Sequence, residues 1–451
     1  VAEKLIFLPT FRQKLKKRQI ETVMKKISKL SVFRAFRSRN YLLYFIGRAV
    51  TQFGTWMQRT AVIWVIYSIT HSPFMVGVTI FAEQFPAFLF SFAGGVIADR
   101  HDRFRIIRIT QFSSMIQAVL LAMLVYTGHT VVWEILTLSI ILGIINAFDV
   151  PARQSLVHVV VADPSDLPNA VSLTTATASL AQLLGPALSG IVLSAWSAPI
   201  CFLINAASFG GVIVSLSLMK RPAWQPKKSG KTMLGEFLEG IVYVRKTPVI
   251  GPIILLVAIA SLLVMPYNTV LPVFAKVIFK GGASTFGYIT SFVGVGALLG
   301  TVFLASRKPD APLKRILFIS SLFMGVGLIG FALIKNFPVA MLFAVLTGFG
   351  GMTQYTVCNI IVQSESEPHM RGRAIGILLM AIFGMLPLGS LIVGAVSQRA
   401  GAPATVIGEG IISIVLAMVF IEFLTKRVKP KPPVHPRGTT IPSSNSVPDL
   451  P

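Results

Sequence analysis

Apolar runs of about twenty residues or more, the length that carries an α-helix across a bilayer, recur along this chain. They fall at 41–67, 73–97, 104–127, 130–150, 166–195 and 198–219, and after a polar break at 250–275, 284–306, 313–334, 337–362, 373–397 and 403–425. The pattern predicts an all-α polytopic membrane protein with twelve transmembrane helices, numbered here as spans 1 to 12. It divides the chain into a basic amphipathic segment (1–39), a first six-helix bundle (40–219), a linker (220–249), a second six-helix bundle (250–425) and a Pro- and Ser-rich tail (426–451) expected to be disordered. In the linker, Met233, Phe237, Ile241 and Val244 share one helical face, which predicts a helix along the membrane surface.

The two bundles share a register. Asp163-Pro164, Ala170, Gly185 and Gly190 recur as Glu367-Pro368, Ala374, Gly389 and Gly394, each displaced by 204 residues. This predicts a parallel pair of pseudo-repeats, with a solute site between them near the midplane.

Composition agrees: 54% of residues are hydrophobic and 13% charged, with a mean hydropathy of +0.74. A net charge of +24 in a soluble chain would point to nucleic acid, but the positions of the charges decide otherwise. Arg100, Arg103, Arg105, Arg108, Arg153, the 220–246 cluster, Arg307, Lys308, Lys314, Arg315, Arg371 and Arg373 fall on one side of the predicted topology. Lys276, Lys280, Lys335 and Arg399 fall on the other. The positive-inside rule then puts both termini in the cytoplasm of a cell whose inner membrane holds the protein, with the lipid bilayer rather than nucleic acid as its partner. The first 32 residues are basic with interleaved apolar positions and carry no cleavable signal pattern. No cofactor or metal is expected. Cys201 and Cys358 read as core residues, and the six histidines are scattered, which argues against an enzyme.

Chemistry concentrates in a few places. Gly95 to Arg105 is a charge-dense hairpin between spans 2 and 3. Gly95 is expected to let two helices approach, Asp99 to face a helix terminus, and Arg100, Arg103 and Arg105 to sit at headgroup level, the layout of a gate. In span 1, Arg48, Gln52, Thr55 and Arg59 follow i, i+4, i+7, i+11 spacing and share one stripe, with the guanidinium groups about 16 Å apart along the axis. Charges inside a span normally face a water-filled cavity or a partner, so these four are substrate-binding candidates; snorkelling of the arginines to the two surfaces is the alternative. Glu83 is the mid-span acid of the first half and the candidate for proton coupling. A permanent pair with Arg48 or Arg59, or a permanently protonated state, is the structural alternative. Glu409 in span 12 is a rival, placed towards the outer surface. Small residues around Pro186 on span 5 predict close packing and a bend. Gly287, Gly294, Gly296 and Gly300 of span 8 read as one smooth partner face.

The hairpin resembles the loop between helices 2 and 3 of the major facilitator superfamily, with Asp102 where that pattern has its second glycine. Gly185-Pro186 followed by Gly190 is similar to the antiporter motif of that superfamily's exporters. Together with Gly54-Thr55-Trp56-Met57-Gln58, Asp149-Val150-Pro151-Ala152-Arg153-Gln154, Leu167-Pro168-Asn169-Ala170 and Arg371-Gly372-Arg373, these motifs resemble the branch that holds the enterobactin exporter, transmembrane secretion effectors and macrolide-efflux proteins, over about residues 33 to 425. The resemblance implies that Asp149 joins Arg103 and Asp99 in an inner-gate charge relay. It also implies that spans 1, 4, 7 and 10 line the cavity, which adds Asn146, Tyr267, Asn268, Tyr355 and Asn359 as ligand contacts; polar contacts between helices are their alternative role. Span 4 lacks the superfamily's usual embedded arginine. The function so implied is secondary export of a small amphipathic organic solute, a siderophore, by proton antiport with alternating access, in a protein working as a monomer. A multidrug or macrolide efflux transporter and a lysolipid flippase are the alternatives.

Overall fold

The computed structural model describes residues 31–128, 131–220, 233–308 and 311–427. The basic segment up to residue 30 and the tail beyond residue 427 lie outside the described residues. Among the described residues all regular elements are helical. The first six long helices are α1 Arg39–Thr70, α2 Pro73–Arg100, α3 Arg103–Tyr126, α4 Val132–Val160, α5 Leu167–Ala195 and α6 Ala198–Leu218. A linker helix, Met233–Lys246, leads into α7, which begins at Ile250–Leu263. Then come α8 Ala283–Ala305, α9 Leu313–Leu333, α10 Phe337–Glu365, α11 Arg371–Ala400 and α12 Ala402–Arg427.

Eleven helices among the described residues are long and apolar enough to cross a membrane. The remaining long helix, α1, has 32 residues, which at about 1.5 Å each exceeds the bilayer core; its polar stripe lowers its hydropathy. The set is compatible with the twelve spans expected. Breaks between helices are short and chemically marked. Ser38, Ser72 and Asn336 each accept a backbone N–H of the first turn they precede, and Asp102 accepts from Phe104 N at 3.0 Å to start α3. Asp102 is therefore a helix cap in the hairpin, a role that a glycine lacks.

One span is broken. Pro266 supplies no N–H, and the chain passes from α7 into a 3-10 turn at Met265–Thr269, a short helical piece at Leu271–Val273 and a π segment at Phe274–Ile278. Irregular backbone at membrane depth persists where protein or a cavity surrounds it. Here Tyr267 and Thr269 are buried, while Tyr267 and Asn268 line a cavity.

Each half holds two apolar layers. In the first, Tyr41, Tyr44, Phe104, Ile107 and Leu156 pack at the end that carries the termini, and Ile66, Val76, Leu121, Ile135 and Phe202 at the opposite end. In the second, Ile250, Ile253, Val357 and Leu378 correspond to the former and Phe274, Phe286, Phe331 and Met341 to the latter. Cys201 and Cys358 are buried and free.

The halves meet through α5 on α8 and α11 on α2, and the duplicated glycines occupy matching places. A Cβ on Gly185 would meet Trp56 of α1, and one on Gly389 would meet Leu262 and Pro266 of α7. Gly190 abuts Ala283 and Gly287 of α8, and Gly394 abuts Pro73 and Phe74 of α2. Both duplicated motifs thus pack on the first helix of their own half and cross to the other half.

Three expectations need correction. A Cβ on Gly95 would meet nothing within 4 Å, whereas one on Gly94 would lie 1.9 Å from the Ala147 carbonyl. The close approach of α2 to α4 belongs to Gly94, one residue earlier, because successive helix positions face about 100° apart. The α8 glycines do not form one face: Gly287 and Gly294 meet α5, while Gly296 and Gly300 meet α10. The linker helix packs against protein: Gly240 lies on Ile377 and Arg373 of α11, Glu239 pairs with Arg373 at 2.9 Å, and Val244 is buried. The side chains of Met233 and Phe237 lie outside the described residues.

Candidate functional site

The stripe on α1 faces inward. Arg48, Gln52, Thr55 and Arg59 all line one cavity of about 70 Å³ within the first half, together with Glu83 of α2 and Asn146, Asp149 and Arg153 of α4. At roughly 10–15 Å³ for each water, that volume holds about five waters. The wall is mostly polar residues, with Val62, Leu142 and Phe209 among them. Gln58 donates to Gln117 at 3.1 Å and accepts from Asn205 at 2.8 Å, and Asn205 accepts from Ser208 at 3.0 Å.

Two ion pairs organise the cavity. Arg59 sends Nε and Nη2 to the same Glu83 oxygen at 3.1 and 2.6 Å and lies over the Trp56 ring at 5.4 Å. The paired alternative for Glu83 is thus the arrangement found, with Arg59 as partner. Asp149 pairs with Arg153 one turn along α4 and accepts from Thr110 at 2.7 Å and Gln111 at 3.0 Å.

This corrects the relay. Asp149 is 2% exposed, inside the bundle rather than at its edge, and its partner is Arg153 instead of Arg103. The reason is spacing: i, i+4 on one helix brings Arg153 directly against it. Arg153, read from sequence as a cytoplasmic loop charge, is a cavity residue of α4. The Asp99 side chain lies outside the described residues; Arg100 and Arg105 are exposed and Arg103 is half-buried. Arg48 forms no ion pair among the described residues. Three arginines (Arg48, Arg59, Arg153) therefore face two carboxylates (Glu83, Asp149), and the cavity carries one surplus positive charge.

The second half supplies a larger cavity, about 220 Å³, with a different wall. Met265, Tyr267 and Asn268 come from the broken stretch of α7, and Met352, Gln354 and Tyr355 from α10. Gln182 reaches it from α5 of the first half, just before the Gly185-Pro186 motif. Asn359 is not brought into this wall; Gln363, a turn below, donates to it. Glu409 of α12 is buried within the protein, 3% exposed. The site candidates thus divide between a charged cavity and an amphipathic one.

Sequence reading missed Gln58, Gln111, Ser114, Gln117, Asn205 and Arg153 as cavity residues. A signal was present for α3: Thr110, Gln111, Ser114 and Gln117 interrupt an apolar run at i, i+1, i+4, i+7, one helical stripe.

The family model of the transmembrane secretion effectors matches residues 30–434. The chain belongs to that family, within the major facilitator superfamily. As a secretion-effector family member it is a multi-pass membrane transporter and not an enzyme. It is 27% identical over 395 residues to the staphyloferrin A transporter of Staphylococcus aureus, covering 86% of this chain and 97% of that one. It is 22% identical to the multidrug efflux pump Tap of Mycolicibacterium fortuitum (79% and 89% covered) and 23% identical to the enterobactin exporter EntS of Escherichia coli (90% and 96%). Among solved structures, a variant of the nucleoside transporter NupG superposes with a TM-score of 0.71 at 14% identity over 85% of this chain and 99% of that one. A bacterial homologue of ferroportin in an inward-facing state gives 0.65 at 16% identity (85% and 98%). These two likenesses concern the fold alone.

Proposed function

We propose that this transporter exports a small amphipathic organic anion, a siderophore, by proton-coupled antiport with alternating access. It does so as a monomer in a bacterial inner membrane, with both termini in the cytoplasm. The observation that carries the reading is the surplus arginine of the first-half cavity, which suits a carboxylate or catecholate, beside a second cavity whose methionines and tyrosine suit an apolar body. The named relatives that handle staphyloferrin A and enterobactin support the same substrate class. In this reading Arg48 and Arg59 bind the anionic groups, with Gln52, Thr55 and Asn146 around them, and Tyr267, Asn268 and Tyr355 receive the rest. The Gly95 to Arg105 hairpin works as the cytoplasmic gate, and Gly185, Pro186 and Gly190 form the surface on which the halves rock.

The Arg59–Glu83 pair sets the sign of any coupling through Glu83. An anion that takes Arg59 leaves the Glu83 carboxylate without its partner and favours its protonation, so proton and anion load together. That linkage moves both in one direction. For an anionic solute, Glu83 is therefore a competitor for Arg59, and antiport draws on another acid. A cationic solute reverses the sign: it pairs with Glu83 itself and excludes the proton there. This supports multidrug efflux as the second reading, in keeping with the relative named Tap.

Inside-out vesicles with an imposed pH gradient separate the two. Enterobactin or staphyloferrin A accumulating in preference to the cationic dye ethidium is the expected result; accumulation of ethidium alone transfers the proposal to the multidrug reading.

A further inference from the structure

The second half holds an acid that the binding of solute leaves unused. Glu409 lies on α12 beside Val406, Ile407 and Ile412, within the apolar layer that includes Phe274, Met324, Leu328 and Phe331. It is 3% exposed, and neither carboxyl oxygen has a hydrogen-bond partner. The helices packed against α12 offer no countercharge. From Ile316 to Leu333 α9 carries no ionisable residue, and neither does α11 from Ala374 to Ser397. In α7, Lys276 is engaged with His71 at the far end, which leaves Tyr267, buried in the same apolar layer as Val406, as the titratable group of the broken stretch.

The pseudo-repeat sharpens the contrast. Glu409 stands 204 residues after Asn205, the displacement shared by the duplicated motifs. Asn205 is equally buried, yet its amide is met by Gln58 of α1 and by Ser208. On the opposing helix of the second half, the broken stretch of α7 presents Tyr267, which also lines the larger cavity. The first half satisfies its buried polar group completely; the second puts a carboxyl in the same place and leaves it bare.

An ionised carboxylate with no donor or cation among its protein neighbours carries a large desolvation cost, which favours the protonated form in this packing. We propose that Glu409 is a proton-carrying site of the second half, with Tyr267 as the positioning residue between it and the solute cavity. The proton is kept while α7 and α12 are packed as here. It leaves when solute in the Tyr267 cavity shifts the Met265–Thr269 break: the carboxylic O–H bond breaks, the proton passes to cavity water, and the carboxylate remains hydrated. Solute and proton then oppose each other, as antiport requires. Only this direction of coupling rests on the export reading; the proton site itself does not.

The test uses infrared difference spectroscopy on the full-length protein in lipid, first without solute. A carboxylic C=O band typical of apolar surroundings is expected in wild type and in Glu83→Gln, absent in Glu409→Gln and displaced in Glu409→Asp. It should fade as pH is raised, at a pH that Tyr267→Phe moves. A band unchanged in Glu409→Gln overturns the proposal, as does a Glu409 band that responds neither to pH nor to added enterobactin or staphyloferrin A. In inside-out vesicles Glu409→Gln should exchange the transported siderophore and lose accumulation driven by the pH gradient; full accumulation counts against the site. If wild type moves neither siderophore, the export reading fails while the infrared result still decides the proton site.

Discussion

Replacing Glu83 with Gln isolates the charge competition in the first-half cavity. Arg59 gives two donors to one Glu83 oxygen, at 2.6 and 3.1 Å, a charge-assisted contact of a kind worth about 1.5–3 kcal/mol. The Arg59 side chain is 33% exposed and that of Glu83 13%, so solvent screening reduces this to about 1–2 kcal/mol. An incoming anion must displace Glu83 to reach Arg59. Glu83→Gln spares it that cost and should tighten binding roughly 5- to 30-fold, at about 1.4 kcal/mol for each factor of ten. Trp56 still covers the guanidinium, and the protein should stay folded. Titration calorimetry with enterobactin or staphyloferrin A gives the affinity, and uptake into inside-out vesicles gives the coupling. The sign argument expects accumulation of the anion in response to a pH gradient to survive in the variant. Accumulation lost with binding unchanged would refute it and restore Glu83 as the coupling acid.

Arg48→Gln removes the surplus charge and should weaken an anionic solute by about 1–3 kcal/mol while leaving ethidium transport as it was; calorimetry and dye efflux check both halves. Asp149→Asn strands Arg153 beside Arg48 in a buried setting and should cost about 3–5 kcal/mol, read as a fall in thermal stability in detergent. Asp99→Asn should cut turnover in a folded protein, and normal turnover would remove the hairpin from the gate. Gly94→Ala drives a methyl into the Ala147 carbonyl and should destabilise by about 1–3 kcal/mol, whereas Gly95→Ala meets open space; equal melting temperatures for the two would contradict the packing of α2 on α4.

Periodicity carries the helices because bilayer thickness sets one length for all of them. The 204-residue displacement carries the duplicated packing because Gly185 and Gly389, like Gly190 and Gly394, must each admit a neighbouring helix. The α1 stripe was legible for a similar reason: polar residues at helical spacing inside an apolar run have one direction to face. What the chain did not display is the partner across a gap. Asp149 could be matched with Arg103 by analogy to a motif, but the Arg153 contact depends on α4 continuing through Pro151 to Val160. A hydropathy reading instead ends that helix at the charge. Glu409 shows the same limit from the other side. Its position near the start of span 12 suggests a surface, and only the packing of α7, α9 and α11 around α12 buries it.

The end opposite the described termini carries contacts that any rocking of the halves would have to break. Opposite the termini, Ser72 donates to Gln398 at 2.9 Å and Lys276 donates to His71 at 3.1 Å, both at exposed positions. Gly190 with Gly287 and Gly394 with Phe74 bring the helices close, and side chains pack across the halves there as well: Trp64 stacks on Phe286 at 5.9 Å, and Ile63 joins the apolar layer of the second half. Exposed hydrogen bonds of this kind contribute about 0.5–1.5 kcal/mol each, so the packing of α5 on α8 and of α11 on α2 holds the halves together more than these two contacts do. Occupancy of either cavity shifts the balance between two states only by its differential affinity for them. In the proposed function the first cavity would do so by exchanging the anion that Arg59 holds, its own Glu83 for the solute. The second would do so through Tyr267, which lines that cavity and lies in the apolar layer on which α12 packs around Glu409. On the proposed export reading, a single bound solute would act on the seam between the halves through these two residues, Arg59 in the first and Tyr267 in the second.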